Sequence, residues 1–141
     1  MTAERIVYIA IFITEAFSVW LYFDYIYTPT KSRRYLFISF LLGYILLYTV
    51  VLLDDVFFNV ALFFIINASL LKINYSCAIK SSILHAAFLT AMMGMTEIIV
   101  NLFITYITSD YCSFTYNISA FVPFAVFSKL LYFLITIVAA R

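Results

Sequence analysis

An all-α, polytopic integral membrane protein with five transmembrane helices is the fold this sequence predicts, and three observations carry the prediction. Of its 141 residues, 67% are hydrophobic and 11% charged, with a mean hydropathy of +1.11. A soluble domain is roughly half apolar and about a quarter charged. The few charges cut the chain into five apolar runs, each near the ~20 residues that a spanning helix needs. Two glycines and two prolines leave little loop material. So few charges cannot cover a compact soluble surface, which excludes a soluble enzyme and a disordered tail. A formal net charge of +1 gives nucleic acid no basic footprint either. The expected location is the cell membrane, crossed several times, with the lipid bilayer as first partner.

The elements follow from the charges. The first span runs from about Ile6 to Phe23 and stops at Asp24. The linker to Arg34 holds Pro29, Lys31 and Arg33 and lies in water. The second span, Tyr35 to Leu53, ends at Asp54 and Asp55, and the third, Val56 to Leu71, ends at Lys72. A short polar segment reaches Lys80. The fourth span, about Ser82 to Ile107, is the longest and runs into Thr108, Ser109 and Asp110. A loop reaches Asn117, and the fifth span takes Ile118 to Ala140, closing at Arg141. Together these spans form a single transmembrane domain. Strands are excluded because the runs lack period-two alternation and are too long for barrel segments of about ten residues. Helices satisfy their own backbone hydrogen bonds in lipid.

Basic linkers stay on the cytoplasmic side of a membrane. Lys31, Arg33 and Arg34 fall in the first linker, Lys72 and Lys80 in the third, and Arg141 at the end. Asp54, Asp55 and Asp110 fall in the second and fourth. The expected orientation is therefore N-terminus outside and C-terminus cytoplasmic; Arg5 dissents, but Glu4 beside it offsets its charge. The first span does not read as a cleaved signal, since Glu15 interrupts it and no small-residue cleavage site precedes Asp24. Trp20, Tyr22, Tyr25, Tyr27 and Tyr35 crowd one interface, where such rings anchor a span.

Three ionisable residues lie inside spans: Glu15, Glu97 and Lys129. A charge at mid-bilayer costs roughly 2.5–3.5 kcal/mol on insertion scales. At ~1.5 Å per residue, Glu15, Glu97 and Lys129 sit ~14, ~15 and ~16 Å from the outer ends of their spans. All three share one level. The fourth and fifth spans are joined by a short loop, so Glu97 and Lys129 are the first pair expected to meet. Glu15 is then a second partner for the amine, or is protonated. On this reading, changing Glu97 restores much of what removing Lys129 loses.

The fourth span carries a stripe of small residues, Ser82, Ala86, Thr90 and Gly94, which lets helices approach closely in lipid. Glu97 and Asn101 continue that face. Asn59 and Asn67 lie eight apart on one side of the third span, with Phe63 between them. One reading is an outward-opening polar cleft lined by Glu97, Asn101, Asn59 and Lys129. The other is a set of interhelical hydrogen bonds and one ion pair that hold the bundle together. Met92, Met93 and Met95 flank Gly94 and read as adaptable packing.

His85 has no ligand-type neighbour at helical spacing, so no metal site is expected. Cys77 and Cys112 fall on opposite sides of the membrane and cannot pair within one chain. Asn67, Asn74 and Asn117 each begin a glycosylation triplet, of which only Asn117 would face outward. No phosphate-binding loop, nucleophile elbow or paired-carboxylate motif is present, and the two halves show no inverted similarity of the transporter kind. Neither an enzyme nor a cofactor is expected.

Several pieces in order resemble the membrane-embedded sensor portion of Gram-positive peptide-sensing histidine kinases, the AgrC-like receptors with a GHKL-type kinase half. They are Thr14-Glu15-Ala16, Lys31-Ser32-Arg33-Arg34, the Asn59 and Asn67 span leading into Leu70-Leu71-Lys72, Met95-Thr96-Glu97-Ile98-Ile99-Val100, and Phe127-Ser128-Lys129-Leu130-Leu131-Tyr132. The resemblance implies a bacterial two-component receptor that senses an extracellular peptide and signals to a cytoplasmic kinase. No coiled coil, phosphoacceptor helix or ATP-binding domain is found up to Arg141, so the expectation is a sensor portion without its kinase. The expected activity is binding, transmitted as a helix rearrangement centred on Glu97 and Lys129. The alternatives are an oligomeric pore or effector, and an immunity or accessory subunit packed against another membrane protein.

Overall fold

The computed structural model describes residues 3–51, 56–108 and 118–140. Asp54, Asp55, Asp110, Cys112, Asn117 and Arg141, on which parts of the expected topology rest, lie outside the described residues. The described chain folds as five helices: α1 (Ala3–Ile26), α2 (Arg33–Val51), α3 (Val56–Tyr75), α4 (Ile79–Thr108) and α5 (Ile118–Ala140). Four of them, α1 to α4, are long and apolar enough to cross a membrane. The apolar stretch Ala125–Ala140 of α5 is shorter.

Helix ends differ from the sequence reading where side chains supply caps. Asp24 does not stop α1, which continues to Ile26. The Trp20 indole N–H donates to Asp24 Oδ2 at 3.0 Å from one turn earlier, so the carboxylate is served within the helix. α3 runs past Leu71 to Tyr75. There the Lys72 ammonium reaches beyond the helix end to the Cys77 carbonyl at 2.9 Å, and Ser76 ends the helix in the left-handed region at φ 50°. α4 begins at Ile79, so residues 76–78 are all that joins these two helices. The Ser32 hydroxyl accepts the Tyr35 N–H at 3.4 Å and caps α2.

The helices pack in chain order, each against the next, and α5 closes the ring onto α1. The α1–α5 seam is the most extensive of these and the α1–α2 seam the least. Phe23, Leu36, Leu47, Leu71, Leu89 and Tyr132 are fully buried inside the ring. Trp20 stacks on Phe40 across α1–α2 at 5.6 Å, and Phe23 meets Tyr75 edge-on at 5.8 Å across α1–α3. The outer surface is apolar: Ile13, Leu42, Ile98 and Leu134 are each about half exposed or more. A soluble monomer rarely shows contiguous apolar surface on that scale.

Close helix approach occurs at a glycine that the sequence reading did not single out. A β-carbon on Gly43 would lie 3.0 Å from Ile66 Cγ2, so α2 is pressed against α3 there. Gly94 faces open space, with nothing within 4 Å of where its β-carbon would be. The expected small-residue stripe is therefore packed at Ser82 and Ala86, half-buried at Thr90, and opens out at Gly94. Met93 is in the core, Met92 borders it and Met95 is exposed.

Candidate functional site

Lys129 on α5 faces the seam between α1 and α4, the two helices that flank it. Its ammonium lies 2.6 Å from Glu15 Oε1 and 2.5 Å from Glu97 Oε1. The structure thus brings together Lys129 and Glu97, and it adds Glu15 on equal terms. The members differ in access: the Glu15 side chain is 5% exposed, Lys129 10% and Glu97 45%. One ammonium serves two carboxylates and still has one donor left. Neighbouring hydroxyls do not compete for it. Thr14, Ser18, Thr90 and Thr136 each donate to a carbonyl one turn back on their own helix.

Of the four residues expected to line a polar cleft, Glu97, Asn101, Asn59 and Lys129, one lines a cavity between described residues. The cavity that Lys129 lines, about 220 Å³, lies between α1 and α5 and is walled by Ile6, Ala10, Ile11, Thr14, Val126 and Leu130. Glu97, Asn59 and Asn101 do not line it. The reason is the ring order: α1, not α3, is the neighbour of α5, so the third member of the cluster is an α1 carboxylate. Asn67 is fully buried, donates to the Phe63 carbonyl at 2.9 Å and accepts the Tyr44 hydroxyl at 3.3 Å. It ties α3 to α2. Asn59 is half-buried and Asn101 exposed. A second, mainly apolar groove of about 440 Å³ runs along the α1–α2 seam from Ile9 to Trp20.

A second polar cluster gathers where the basic linkers lie. His85 on α4 is held between two tyrosines, Tyr22 of α1 at 2.8 Å from Nδ1 and Tyr27, just past the end of α1, at 3.0 Å from Nε2. In a neutral imidazole one tyrosine donates to the bare nitrogen and the other accepts from the N–H. Tyr27 also contacts the Ser81 hydroxyl at 2.5 Å. Nearby, Asp24 accepts the Tyr75 hydroxyl at 2.6 Å and pairs with Arg33. Asn74 is fully buried; its side-chain amide donates to Ser39 at 2.8 Å, and its main-chain carbonyl accepts both the Thr30 amide and the Thr30 hydroxyl at 2.9 Å. Cys77 is buried, with Sγ 2.8 Å from the Ser82 hydroxyl. Among the described residues no group of three or more His, Cys, Asp and Glu could hold a metal ion.

Comparison with protein-family models, with curated proteins and with solved structures gives no match.

The His85 cluster escaped the sequence reading, which placed Tyr22 and Tyr27 in an interfacial belt. Its one sequence signal is the i, i+4 spacing of Ser81 and His85, which puts two polar groups on one face of an apolar helix. That the end of α1 and the residue after it supply the tyrosines is a property of the packing.

Proposed function

We propose that this chain is a five-span membrane protein, N-terminus outside and C-terminus cytoplasmic, that binds a ligand or partner and transmits a helix rearrangement. The observation that carries the reading is the one amine shared by two carboxylates from different helices. Lys129 keeps a charged partner in Glu15 whether or not Glu97 stays. A ligand that engages Glu97, the accessible member, therefore frees α4 from α5 without leaving a buried charge bare. A ligand moves such an equilibrium only by binding one arrangement better, and that exchange supplies the difference. Similarity to the sensor portion of peptide-sensing kinases makes an extracellular peptide the first ligand to try and a cytoplasmic kinase the first partner.

The half-exposed Glu97 also favours a second reading, in which α4 packs against another membrane protein or another copy of this chain. The test uses the full chain in lipid nanodiscs, with Cys77 and Cys112 changed to serine and spin labels at the exposed positions Ala87 and Leu134. Glu97→Gln mimics release of the carboxylate and is expected to lengthen the α4–α5 distance in a single-chain particle. An unchanged distance makes the triad a fixed strut and ends the proposal. A particle mass of several chains, with the distance unchanged, supports the second reading.

A further inference from the structure

We propose that the α1–α2 groove holds one acyl chain of an anionic phospholipid, whose phosphate sits on Arg34 and Lys31 at the basic end of the bundle. Ring packing across the least extensive seam creates the groove. Phe12 meets Tyr48 edge-on at 5.9 Å toward the Ile9 end, and Trp20 stacks on Phe40 at 5.6 Å toward the basic end. These rings hold α1 and α2 apart. Ala16 lies between them, and its small side chain leaves about 440 Å³ unfilled. Glu15 turns toward α5 and Ala16 toward α2, so the groove is separate from the Lys129 cluster.

Size and chemistry select the occupant. At ~1.5 Å per residue the groove runs ~17 Å from Ile9 to Trp20, so its mean section is ~27 Å², or ~5 Å across. An α-helix with its side chains is ~10–12 Å across and does not enter. A single extended hydrocarbon chain does. No charged side chain lines the walls, and the Tyr44 hydroxyl is already spent on Asn67. Nothing in the groove calls for a polar ligand.

The charge at the mouth selects the headgroup. Arg34, Phe37, Leu41, Ile45 and Tyr48 recur at three- and four-residue spacing along α2, so Arg34 stands one turn beyond the groove on the same face. Helical side chains tilt toward the N-terminus, which carries the guanidinium out to the headgroup level. Three cations gather there, Lys31, Arg33 and Arg34. Arg33 is paired with Asp24, the acid that Trp20 and Tyr75 also hold. Lys31 stands over the Tyr35 ring at 5.9 Å, which keeps it at the head of α2. Arg34 is exposed. Among the described residues, neither Lys31 nor Arg34 has an anionic partner, so the mouth carries two uncompensated positive charges. A guanidinium offers a phosphate two parallel donors, and basic pockets beside spanning helices favour anionic headgroups.

Trp20 is the one tryptophan of the chain and lines the groove, so its fluorescence reports what lies there. The full chain is placed in phosphatidylcholine vesicles with a small fixed share of lipid brominated along its acyl chains, which quenches indole on contact. Brominated phosphatidylglycerol is expected to quench as if enriched roughly 30-fold over brominated phosphatidylcholine, about fivefold for each of Arg34 and Lys31. Arg34→Gln lowers that preference about fivefold, and adding Lys31→Gln abolishes it. Lys80→Gln removes an exposed charge from the other basic linker and leaves the preference unchanged. Ala16→Leu fills the middle of the groove and removes the excess quenching. If that variant loses helix by circular dichroism, Leu41→Phe on the half-exposed wall makes the same comparison. Equal quenching by the two lipids overturns the proposal, as does an equal loss in Lys80→Gln, the mark of a diffuse attraction. An excess that survives groove filling puts the acyl chain elsewhere and also overturns it. So does a Trp20 that neither brominated lipid reaches, which means that a second copy or another protein covers the groove.

Discussion

Replacing Lys129 by methionine removes the one cation between two carboxylates while keeping the volume of the side chain. The loss is unequal on the two sides. Glu15 is 5% exposed and is left without its partner in the interior, whereas Glu97 is 45% exposed and can turn outward. Breaking a buried pair by deleting one member costs about 3–5 kcal/mol. Losing a single interhelical hydrogen bond in a membrane bundle costs only about 0.6 kcal/mol on average. Lys129→Met should therefore destabilise by the larger figure, almost all of it through Glu15. Adding Glu15→Gln to Lys129→Met should recover most of the loss, and adding Glu97→Gln should recover little, the reverse of the rescue expected from sequence. Glu97→Gln alone should cost about 0.6 kcal/mol. The assay is reversible unfolding in mixed micelles with rising dodecyl sulfate, read by helical circular dichroism, as a double-mutant cycle. Equal recovery by the two rescues, or better recovery through Glu97, would refute the reasoning that the buried carboxylate, Glu15, bears the loss.

The two glycines should behave oppositely. Gly43→Leu drives a side chain into Ile66 and should cost about 1–3 kcal/mol, as overpacking does, while Gly94→Leu, facing open space, should be close to neutral in the same unfolding assay. Tyr75→Phe removes one of the donors on Asp24. It should cost about 1.5 kcal/mol, the lower end for a hydrogen bond to a charged group, and adding Asp24→Asn should shrink that difference. Cys77, 8% exposed, should resist a maleimide in the folded chain and react when dodecyl sulfate unfolds it; labelling at the same rate in both states would contradict its burial.

How much of this was legible in the sequence depended on whether a feature is local. Five apolar runs bounded by charges are a local pattern, and they locate the helices to within a few residues. Where the ends moved, as at Ile26 and Tyr75, side chains such as Trp20 and Lys72 reach along the helix to groups that a boundary drawn at the nearest charge ignores. Depth along a span is also local arithmetic, so the common level of Glu15, Glu97 and Lys129 could be read from residue numbers alone. Which face each helix turns inward is another matter. The spans are apolar all round and carry no strong amphipathic stripe, so nothing in the composition said that α1 would lie beside α5. That adjacency makes Glu15 an equal partner and leaves Asn59 and Asn101 away from the α1–α5 cavity. Gly43 and Gly94 make the same point: both sit in apolar runs, and only the packing separates the tight contact from the open one.

The ties at the linker end of the bundle have a mechanical consequence. Thr30 clips the α1–α2 turn to the Asn74 carbonyl near the end of α3, Asn74 holds Ser39, Asp24 gathers Tyr75 and Arg33, and His85 locks α4 to α1. Rods fastened together near one extremity can swing only about that fastening. Any displacement begun at the Lys129 level then grows with distance from the clasp and is largest at the opposite mouth.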